Sequence, residues 1–311
     1  MHQKLKNIRT DLACEAFSAV AGVRGARLRE TQPAQGVSVT TVEILDEEGE
    51  AALGKPRGTY VTIDAPGLWE NDPALEERTA KVLAAQLREM SGALEKRDTV
   101  LIAGLGNRTI TADALGPGVT ERVLVSRHVT EYLPEQADER VRPVCAMSPG
   151  VLGVTGIETG EMVLGAVQRV KPALVLAVDA LASRSTERIS TTIQLADTGI
   201  RPGSGLGGSR MELTKETLGV PVIALGVPTV VHASTISQDA VALLLEEMGA
   251  QAEGEELVAL VGKVVSEKIG PLIVTPKDID CIVARSAALL AMGIDLALHG
   301  LCAEELRKIV R

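Results

Sequence analysis

Short aliphatic runs recur along most of the chain and alternate with amphipathic stretches. Runs such as Leu101–Gly104 and Leu174–Val178 contain only Leu, Ile, Val, Ala and Gly, which is typical of strands buried on both faces of a parallel sheet. The stretches between such runs carry apolar residues at helical spacing. Strands interleaved with helices predict an α/β fold with a mostly parallel, doubly wound sheet flanked by helices.

The same periodicity predicts where individual elements lie. Nearer the N-terminus, 37–45 and 59–65 alternate apolar and polar residues, which predicts an additional β-hairpin across the acidic turn 46–50. Further along, strands are predicted at 99–104, 141–147, 173–178, 191–196, 220–226 and 272–275, and helices at about 117–127, 158–170, 209–217, 235–249, 254–268 and 277–298.

One helix has a clear start signal. Asp72 can cap a helix whose first position is Pro73, because an aspartate accepts hydrogen bonds from free N–H groups and a proline has no N–H to satisfy. Leu83, Leu87 and the apolar residues after them step by three and four positions. They predict a single stripe that packs against the sheet.

Composition narrows the class of protein. Of 311 residues, 45% are hydrophobic but only 1% are aromatic, so the core must consist of aliphatic side chains, and a stacking surface for single-stranded nucleic acid is disfavoured. The net charge of −9 argues against general binding to phosphate backbones. We therefore expect no direct nucleic acid binding.

Cysteine spacing and hydropathy bear on the compartment. The cysteines show no CxxC spacing, the N-terminus lacks the apolar stretch of a signal peptide, and no uninterrupted apolar run is long enough to span a membrane. We expect a cytoplasmic protein with reduced thiols and no membrane partner. A single domain is favoured over two, because no repeat, low-complexity segment or long linker interrupts the pattern.

Two aspartates follow aliphatic runs. Asp113 comes after the run that ends at Gly104, and Asp179 directly follows Val178. Open α/β sheets place catalytic groups at the carboxyl ends of their strands, so we expect each carboxylate at or just beyond a strand end. Two acids at the same edge of a sheet can share a proton, hold a metal ion or activate water. The non-catalytic alternative for either residue is a helix N-cap.

The glycine-rich loops do not establish a nucleotide site. Gly104 and Gly106 follow a strand, but Thr109 stands where the dinucleotide fingerprint needs a third glycine. The stretch 203–208 satisfies GxGxxG by spacing, but it is separated from the preceding strand and has no acid about twenty residues later to hold a ribose. A loop that lets a peptide backbone approach a site is the preferred interpretation. No P-loop sequence is present.

Several blocks, in order along the chain, resemble germination protease, the endopeptidase family that degrades small acid-soluble spore proteins when spores germinate. The likeness runs from about residue 9 to residue 300. The blocks are Thr10–Glu15, Gly104–Asn107, Asp113–Pro117, Gly156–Thr159, Asp179–Arg184, Ile193–Ile200, Pro202–Gly205, Gly226–Val231 and Gly293–His299.

The resemblance implies a maturation pathway and partners. The family is made as a zymogen that processes itself at a sequence consisting of an acid, a large apolar residue, Ala, any residue and Glu. That pattern matches Asp11–Glu15, so we expect a cut between Asp11 and Leu12, with 1–11 as propeptide and 12–311 as one peptidase domain. The resemblance also implies a fold similar to the hydrogenase-maturation endopeptidases, a homotetramer, small acid-soluble spore proteins as substrates, and location in the forespore or spore core.

The two proposed catalytic aspartates of the family match Asp113 and Asp179. Like charges a few ångströms apart keep one carboxyl protonated, so the pair can act as base and acid towards an attacking water. Asp197 lies in the chain's single Asp-Thr-Gly sequence, whereas pepsin-like enzymes need two such sequences. We expect no cofactor and no bound metal ion.

One position departs from the family pattern. His232 stands where the family usually has Asp, and the hydrogenase-maturation relatives bind nickel with two acids and a histidine. A metal-dependent endopeptidase therefore stays an alternative, although HExxH is absent. A polar helix cap is the simpler interpretation of His232.

Further alternatives and binding residues arise from the same pattern. A cysteine peptidase built on Cys145 and His128 is a weaker possibility, and an inactive homologue that binds spore proteins is another. An acid before the cut needs a cationic partner, for which Arg184 and Arg201 are the candidates. Gly205 and His232 complete the predicted substrate-binding residues.

Overall fold

The computed structural model describes residues 10–20, 22–70, 72–201, 211–249, 251–270 and 272–309. The described residues form a nine-stranded sheet in the order β1-β2-β3-β7-β8-β6-β4-β5, with β9 added beside β8. The strands are β1 (Ala26–Ala34), β2 (Val37–Ile44), β3 (Gly58–Asp64), β4 (Val100–Gly104), β5 (Val144–Met147), β6 (Leu174–Ser183), β7 (Thr192–Ala196), β8 (Val222–His232) and β9 (Ile273–Val274).

Parallel pairing is concentrated in one half of the sheet. Strands β8, β6, β4 and β5 are neighbours in that order and all run parallel. Strands β1, β2, β3 and β7 extend the sheet with antiparallel pairs, and β7 joins β8 antiparallel. The α/β fold class is confirmed, and each strand predicted beyond position 98 has its counterpart in β4 to β9.

Helices cover both faces of the sheet. In chain order they are α1 (Ala13–Ser18), α2 (Glu47–Leu53), α3 (Pro73–Ser91), α4 (Leu115–Thr120), α5 (Arg127–Tyr132), α6 (Leu152–Thr155), α7 (Thr159–Val170), α8 (Lys215–Leu218), α9 (Ala233–Glu247), α10 (Gln251–Val264), α11 (Ile279–Leu298) and α12 (Ala303–Ile309).

The largest apolar cluster lies between the sheet and helices α3, α4 and α11. Ile102 and Leu176 enter it from β4 and β6, whereas their neighbours Leu101 and Val175 point to the opposite face and meet α7 and α8. This alternation explains the purely aliphatic runs, because each central strand is covered on both faces. Among the described residues, only α11 is long and apolar enough to cross a membrane, and half of it is buried in this core.

The predicted start of α3 is confirmed. The Asp72 side chain accepts a hydrogen bond from the Ala74 N–H, and Pro73 occupies the first turn. Leu83 and Leu87 are fully buried on the predicted stripe. The local capping chemistry and the apolar spacing point to the same helix, so this element could be identified without knowledge of its tertiary contacts.

The N-terminal region departs from the prediction in two respects. The acidic stretch after β2 is not a turn but begins helix α2, capped by Asp46, whose side chain accepts from the Gly49 N–H. The hairpin strands β2 and β3 do pair, but β1 is a further strand that the alternation does not predict. Most residues of β1 are exposed, so it lacks the apolar signal on which the prediction depends.

Candidate active site

Asp113 lies in the loop between β4 and α4. It ends a 3₁₀ turn, Thr111–Asp113, and its Oδ2 accepts a hydrogen bond from the Asn107 N–H at 2.8 Å. The N-cap position of α4 belongs to Ala114, so the capping alternative for Asp113 is wrong. The carboxylate is tied to the glycine-rich turn that follows β4.

That turn requires glycine for steric reasons. Gly106 has φ of +109°, and a Cβ there would lie 2.1 Å from the Asp113 carbonyl oxygen and 3.0 Å from its Oδ1. Neither a side chain nor an ordinary backbone conformation fits. The glycines of this block therefore shape the backbone around Asp113.

Asp179 lies within β6 rather than at its carboxyl end. The expectation of a strand-end position is wrong for this residue, because β6 continues to Ser183 by pairing with β8. The neighbouring strand β4 stops at Gly104, opposite Val178. Asp179 is therefore the first residue of β6 beyond the end of β4, and it is buried at 8% exposure.

Both aspartates belong to the same edge of the sheet. The Leu105 N–H donates to the carbonyl of Val178, the residue before Asp179, and the Thr229 hydroxyl donates to the carbonyl of Ala112, the residue before Asp113. The chain leaves β4 towards β5 on one side and leaves β6 towards β7 and β8 on the other. Such a switch point is where open α/β sheets bind their ligands.

His232 ends β8 and is buried at the N-cap position of α9, but its side chain makes no capping hydrogen bond. Its backbone pairs with Ile273 of β9. The simple cap interpretation is therefore wrong. Within the described ranges, no group of three or more His, Cys, Asp or Glu side chains is arranged to hold a metal ion.

The cysteine alternative loses support. Cys145 lies in β5, and burial raises the pKa of its thiol, which disfavours the nucleophilic thiolate. Its Sγ contacts the Val100 carbonyl oxygen at 3.7 Å. His128 is exposed on α5.

The arginines predicted to bind the acidic residue before the cut form ion pairs with other acidic residues. The Arg184 guanidinium donates to Asp239 at 3.3 Å, and the Arg201 guanidinium pairs with Glu212. Both pairs are at least partly exposed. Gly205 lies outside the described residues.

The predicted processing segment is docked on the sheet. The Asp11 N–H donates to the Ala182 carbonyl at 2.9 Å, and the Ala182 N–H donates to Asp11 Oδ2 at 2.8 Å. Leu12 is 0% exposed and packs with Leu181 and Cys14. The acid before the expected cut is thus held by β6, the strand that also carries Asp179.

Two side chains bind the carbonyl oxygen of Asp11. Lys55 Nζ donates to it at 2.9 Å and Gln194 Nε2 at 2.7 Å. Gln194 Oε1 also accepts from the Ala13 N–H at 2.6 Å. No local sequence signal marks Lys55 or Gln194, because they reach the segment only through long-range contacts.

Glu15 occupies a recess for a carboxylate. The N–H groups of Arg184 and Ser185 donate to its oxygens at 2.8 and 3.1 Å, and the Arg188 guanidinium lies 3.5 Å away. Thr10 also donates its hydroxyl to Glu15. The Glu15 side chain is only 8% exposed, so it is bound rather than solvated. Arg184 therefore takes part through its backbone.

Comparison with known proteins identifies the family. The family model described as germination protease matches residues 6–259. The chain belongs to the germination protease family. It is 48% identical to the germination protease of Caldanaerobacter subterraneus subsp. tengcongensis, with 97% of this chain and 98% of that protein covered.

Other germination proteases are also similar. The Clostridium perfringens protein is 44% identical, with 94% of this chain and 95% of that protein covered. The Bacillus velezensis protein is 40% identical, with 94% and 93% covered. Membership of this family makes the chain a peptidase and confirms the resemblance found in its motifs.

The chain also aligns with solved structures, of which one is a hydrogenase maturation protease. The NiFe hydrogenase maturation protease HycI from Thermococcus kodakarensis KOD1 matches with 18% identity and a TM-score of 0.29, covering 58% of this chain and 99% of that chain. A score this low carries no argument about the site.

Proposed function

We propose that this peptidase is an endopeptidase that begins the degradation of small acid-soluble spore proteins in the spore core during germination. It is made as a zymogen and cuts itself between Asp11 and Leu12. The mature chain assembles as a homotetramer. Family membership supports the germination role, and the docked segment supports the self-cleavage.

The observation that carries this proposal is the shared use of β6. Ala182 of β6 binds both the backbone and the carboxylate of Asp11, while Asp179 lies earlier on the same strand. The expected cleavage sequence therefore binds to β6, the strand that carries Asp179. Strand pairing with a substrate backbone is a general way to present an extended peptide.

Asp113 and Asp179 are the proposed catalytic pair. The ionised carboxylate takes a proton from water as the water oxygen attacks the scissile carbonyl carbon, and the protonated carboxyl donates to the leaving amine. Such a pair keeps one shared proton, because like charges close together resist full ionisation, and the burial of Asp179 strengthens this effect. A substrate carbonyl must lie at the switch point for this to occur.

Substitution of the two acids tests the mechanism. Asp113→Asn and Asp179→Asn should each lower cleavage of a small acid-soluble spore protein, and formation of the Leu12 terminus, by about 10²–10⁴-fold. Asp295→Asn is the control, because Asp295 is another buried acid, which accepts a hydrogen bond from the Leu124 N–H inside the core. Thermal unfolding checks that the variants fold.

Three outcomes would contradict the proposal. Full activity of either Asn variant removes the aspartate pair. Loss of cleavage after chelator treatment, restored by a divalent metal, favours the metal-dependent alternative that His232 suggests. Binding of spore proteins without any cut would identify an inactive homologue. Sedimentation equilibrium of the processed chain measures the tetramer independently.

A further inference from the structure

Lys55 and Gln194 converge on a single backbone atom. Their donors lie 2.9 and 2.7 Å from the carbonyl oxygen of Asp11, the residue before the expected cut. Lys55 comes from the turn after α2, and Gln194 comes from β7. Two donors on one carbonyl oxygen match the requirement for stabilising an oxyanion.

Lys55 has an unfavourable environment for a charge. Burial lowers the pKa of its ammonium, although the nearby charge of Asp11 opposes that shift. The ring of Tyr60 lies 5.9 Å from Nζ, within the range of a cation–π contact. A desolvated ammonium directed at a carbonyl oxygen interacts more strongly than one in water.

Gln194 is oriented by the segment itself. Its Oε1 accepts from the Ala13 N–H at 2.6 Å, which leaves its Nε2 directed at the Asp11 carbonyl. The Gln194 amide thus forms hydrogen bonds with the backbone on both sides of Leu12. Gln194 is buried at 7% exposure, so this orientation is fixed by protein groups rather than by solvent.

The sheet register relates Gln194 to the proposed catalytic strand. Gly226 of β8 pairs with Gln194 on one side and with Asp179 on the other. The three residues form one row, and in-register neighbours face the same side of a sheet. A Cβ on Gly226 would meet Leu181 Cγ at 2.6 Å, and Leu181 packs with Leu12. The segment and Asp179 therefore share one face of the sheet.

We propose that Lys55 and Gln194 form the carbonyl-binding site of this peptidase, and this inference rests on the proposed cut between Asp11 and Leu12. As a water oxygen bonds to the Asp11 carbonyl carbon, the π electron pair moves to the carbonyl oxygen, where both donors stabilise it. The ionised aspartate takes a proton from that water. When the carbonyl re-forms and the carbon–nitrogen bond breaks, the protonated aspartate gives its proton to the Leu12 nitrogen. The products are a carboxyl group at Asp11 and an amine at Leu12.

The same donors serve substrates cut in trans. A peptide with an acidic residue before the cut, docked in place of the segment, would direct its carbonyl at Lys55 and Gln194. Removal of one donor from an oxyanion site typically lowers kcat by about 10²–10³-fold. We expect that loss in kcat, with KM changed much less.

Two variants remove the donors with little change in shape. Lys55→Met removes the ammonium, and Gln194→Glu replaces the amide donor while keeping an oxygen for the Ala13 N–H. Lys96→Met is the matched control, because Lys96 is exposed and 3.8 Å from Glu139. Intact mass measures the rate at which the Leu12 terminus appears, and cleavage of a peptide with the sequence of residues 8–18 gives kcat and KM.

The outcomes separate this inference from the proposed function. A loss of about 10²–10³-fold in kcat with an unchanged unfolding temperature supports it. Wild-type rates in both variants, while Asp113→Asn and Asp179→Asn are inactive, overturn the inference alone. A lower unfolding temperature with an unchanged rate shows that the two residues only anchor the segment. A wild-type chain that never cuts after Asp11 overturns both proposals.

Discussion

Two regions of the molecule share strand β6 but are built differently. One is the switch-point edge, which carries Asp113 and Asp179, and the other is the docking site, which binds Asp11. At the edge, each acid follows an aliphatic run in the sequence, with Asp113 in the loop after β4 and Asp179 inside β6, and glycine geometry shapes the loop. At the docking site, Lys55, Ala182 and Gln194 come from distant parts of the chain. The edge can therefore be read from local sequence, whereas the docking site exists only once the sheet has formed.

This difference implies different sensitivities. The edge depends on backbone conformation, so small steric changes there should have large effects on catalysis. The docking site depends on several separate hydrogen bonds, each of which contributes modestly. Substitutions in the two regions should therefore differ in the size and the kind of their effect.

Among substitutions of residues that only support the two regions, Gly106→Ala should lower activity the most. Gly106→Ala places a Cβ 2.1 Å from the Asp113 carbonyl oxygen at φ of +109°, so the turn must move and Asp113 with it. We expect activity to fall by about 10²-fold or more, since misplacement of a catalytic group by about 1 Å costs that much. Cleavage assays and thermal unfolding measure the two consequences.

Gly92→Ala is the matched control. Gly92 also has positive φ, +64°, but nothing lies within 4 Å of its Cβ position. At φ +64° and ψ −155°, it should show only the cost of the backbone conformation, about 1–3 kcal/mol, and full activity. Equal loss of activity in both variants would contradict the argument that the turn at Gly106 positions the acid.

An intermediate effect is expected in the Glu15 recess. Glu15→Gln and Arg188→Ala should each loosen the segment, because Arg188 lies 3.5 Å from the nearly buried carboxylate. We expect about tenfold faster proteolytic nicking near residue 15, since the N–H hydrogen bonds to the Glu15 carboxylate contribute about 1.5–3 kcal/mol, and the ion pair with Arg188, which is 30% exposed, contributes less.

Arg184→Ala sharpens this test. Its guanidinium binds Asp239, whereas only its backbone N–H binds Glu15. The variant should therefore leave the nicking rate near that of the wild type. If it loosens the segment as much as Arg188→Ala, the contribution assigned to the Arg188 guanidinium is wrong. A double-mutant cycle of Glu15 and Arg188 measures their coupling directly.

The smallest effect on peptidase activity is expected for Asp295 and His299, a buried pair outside both regions. Burial raises the pKa of Asp295 to about 7 and lowers that of His299 to about 4. The folded chain therefore keeps a proton on Asp295 that the unfolded chain releases near pH 4, and this contribution to stability disappears as the pH rises to about 7. His299 has the opposite sign, because its contribution is lost as the pH falls from about 6.5 through 4.

Asp295→Asn isolates the first contribution. The variant keeps an acceptor for the Leu124 N–H but has no carboxylate to ionise in the core. Its unfolding temperature, relative to the wild type, should rise between pH 5 and pH 8 by the equivalent of about 2 kcal/mol. An unchanged difference across that range would contradict the raised pKa of Asp295. Peptidase activity should not change.

Local sequence predicts those features that neighbouring residues encode. Asp72 and Pro73 identify the start of α3, and the aliphatic runs identify the central strands. The burial of Asp179 inside β6 cannot be predicted in this way, because strand length there is set by pairing with β8 rather than by hydropathy. Lys55 and Gln194 could not be predicted for a similar reason, since nothing in their local sequence indicates that both bind the Asp11 carbonyl.

The complete burial of Leu12 bears on the fate of the new chain ends after a cut. Hydrolysis after Asp11 would leave a carboxylate beside Lys55 and Gln194, but it would also create an ammonium on Leu12, whose side chain packs against Leu181. An ammonium is unfavourable away from water, so the new Leu12 terminus should be expelled and should not re-ligate. The seat on β6 would then open to the next peptide, and maturation would proceed in one direction only.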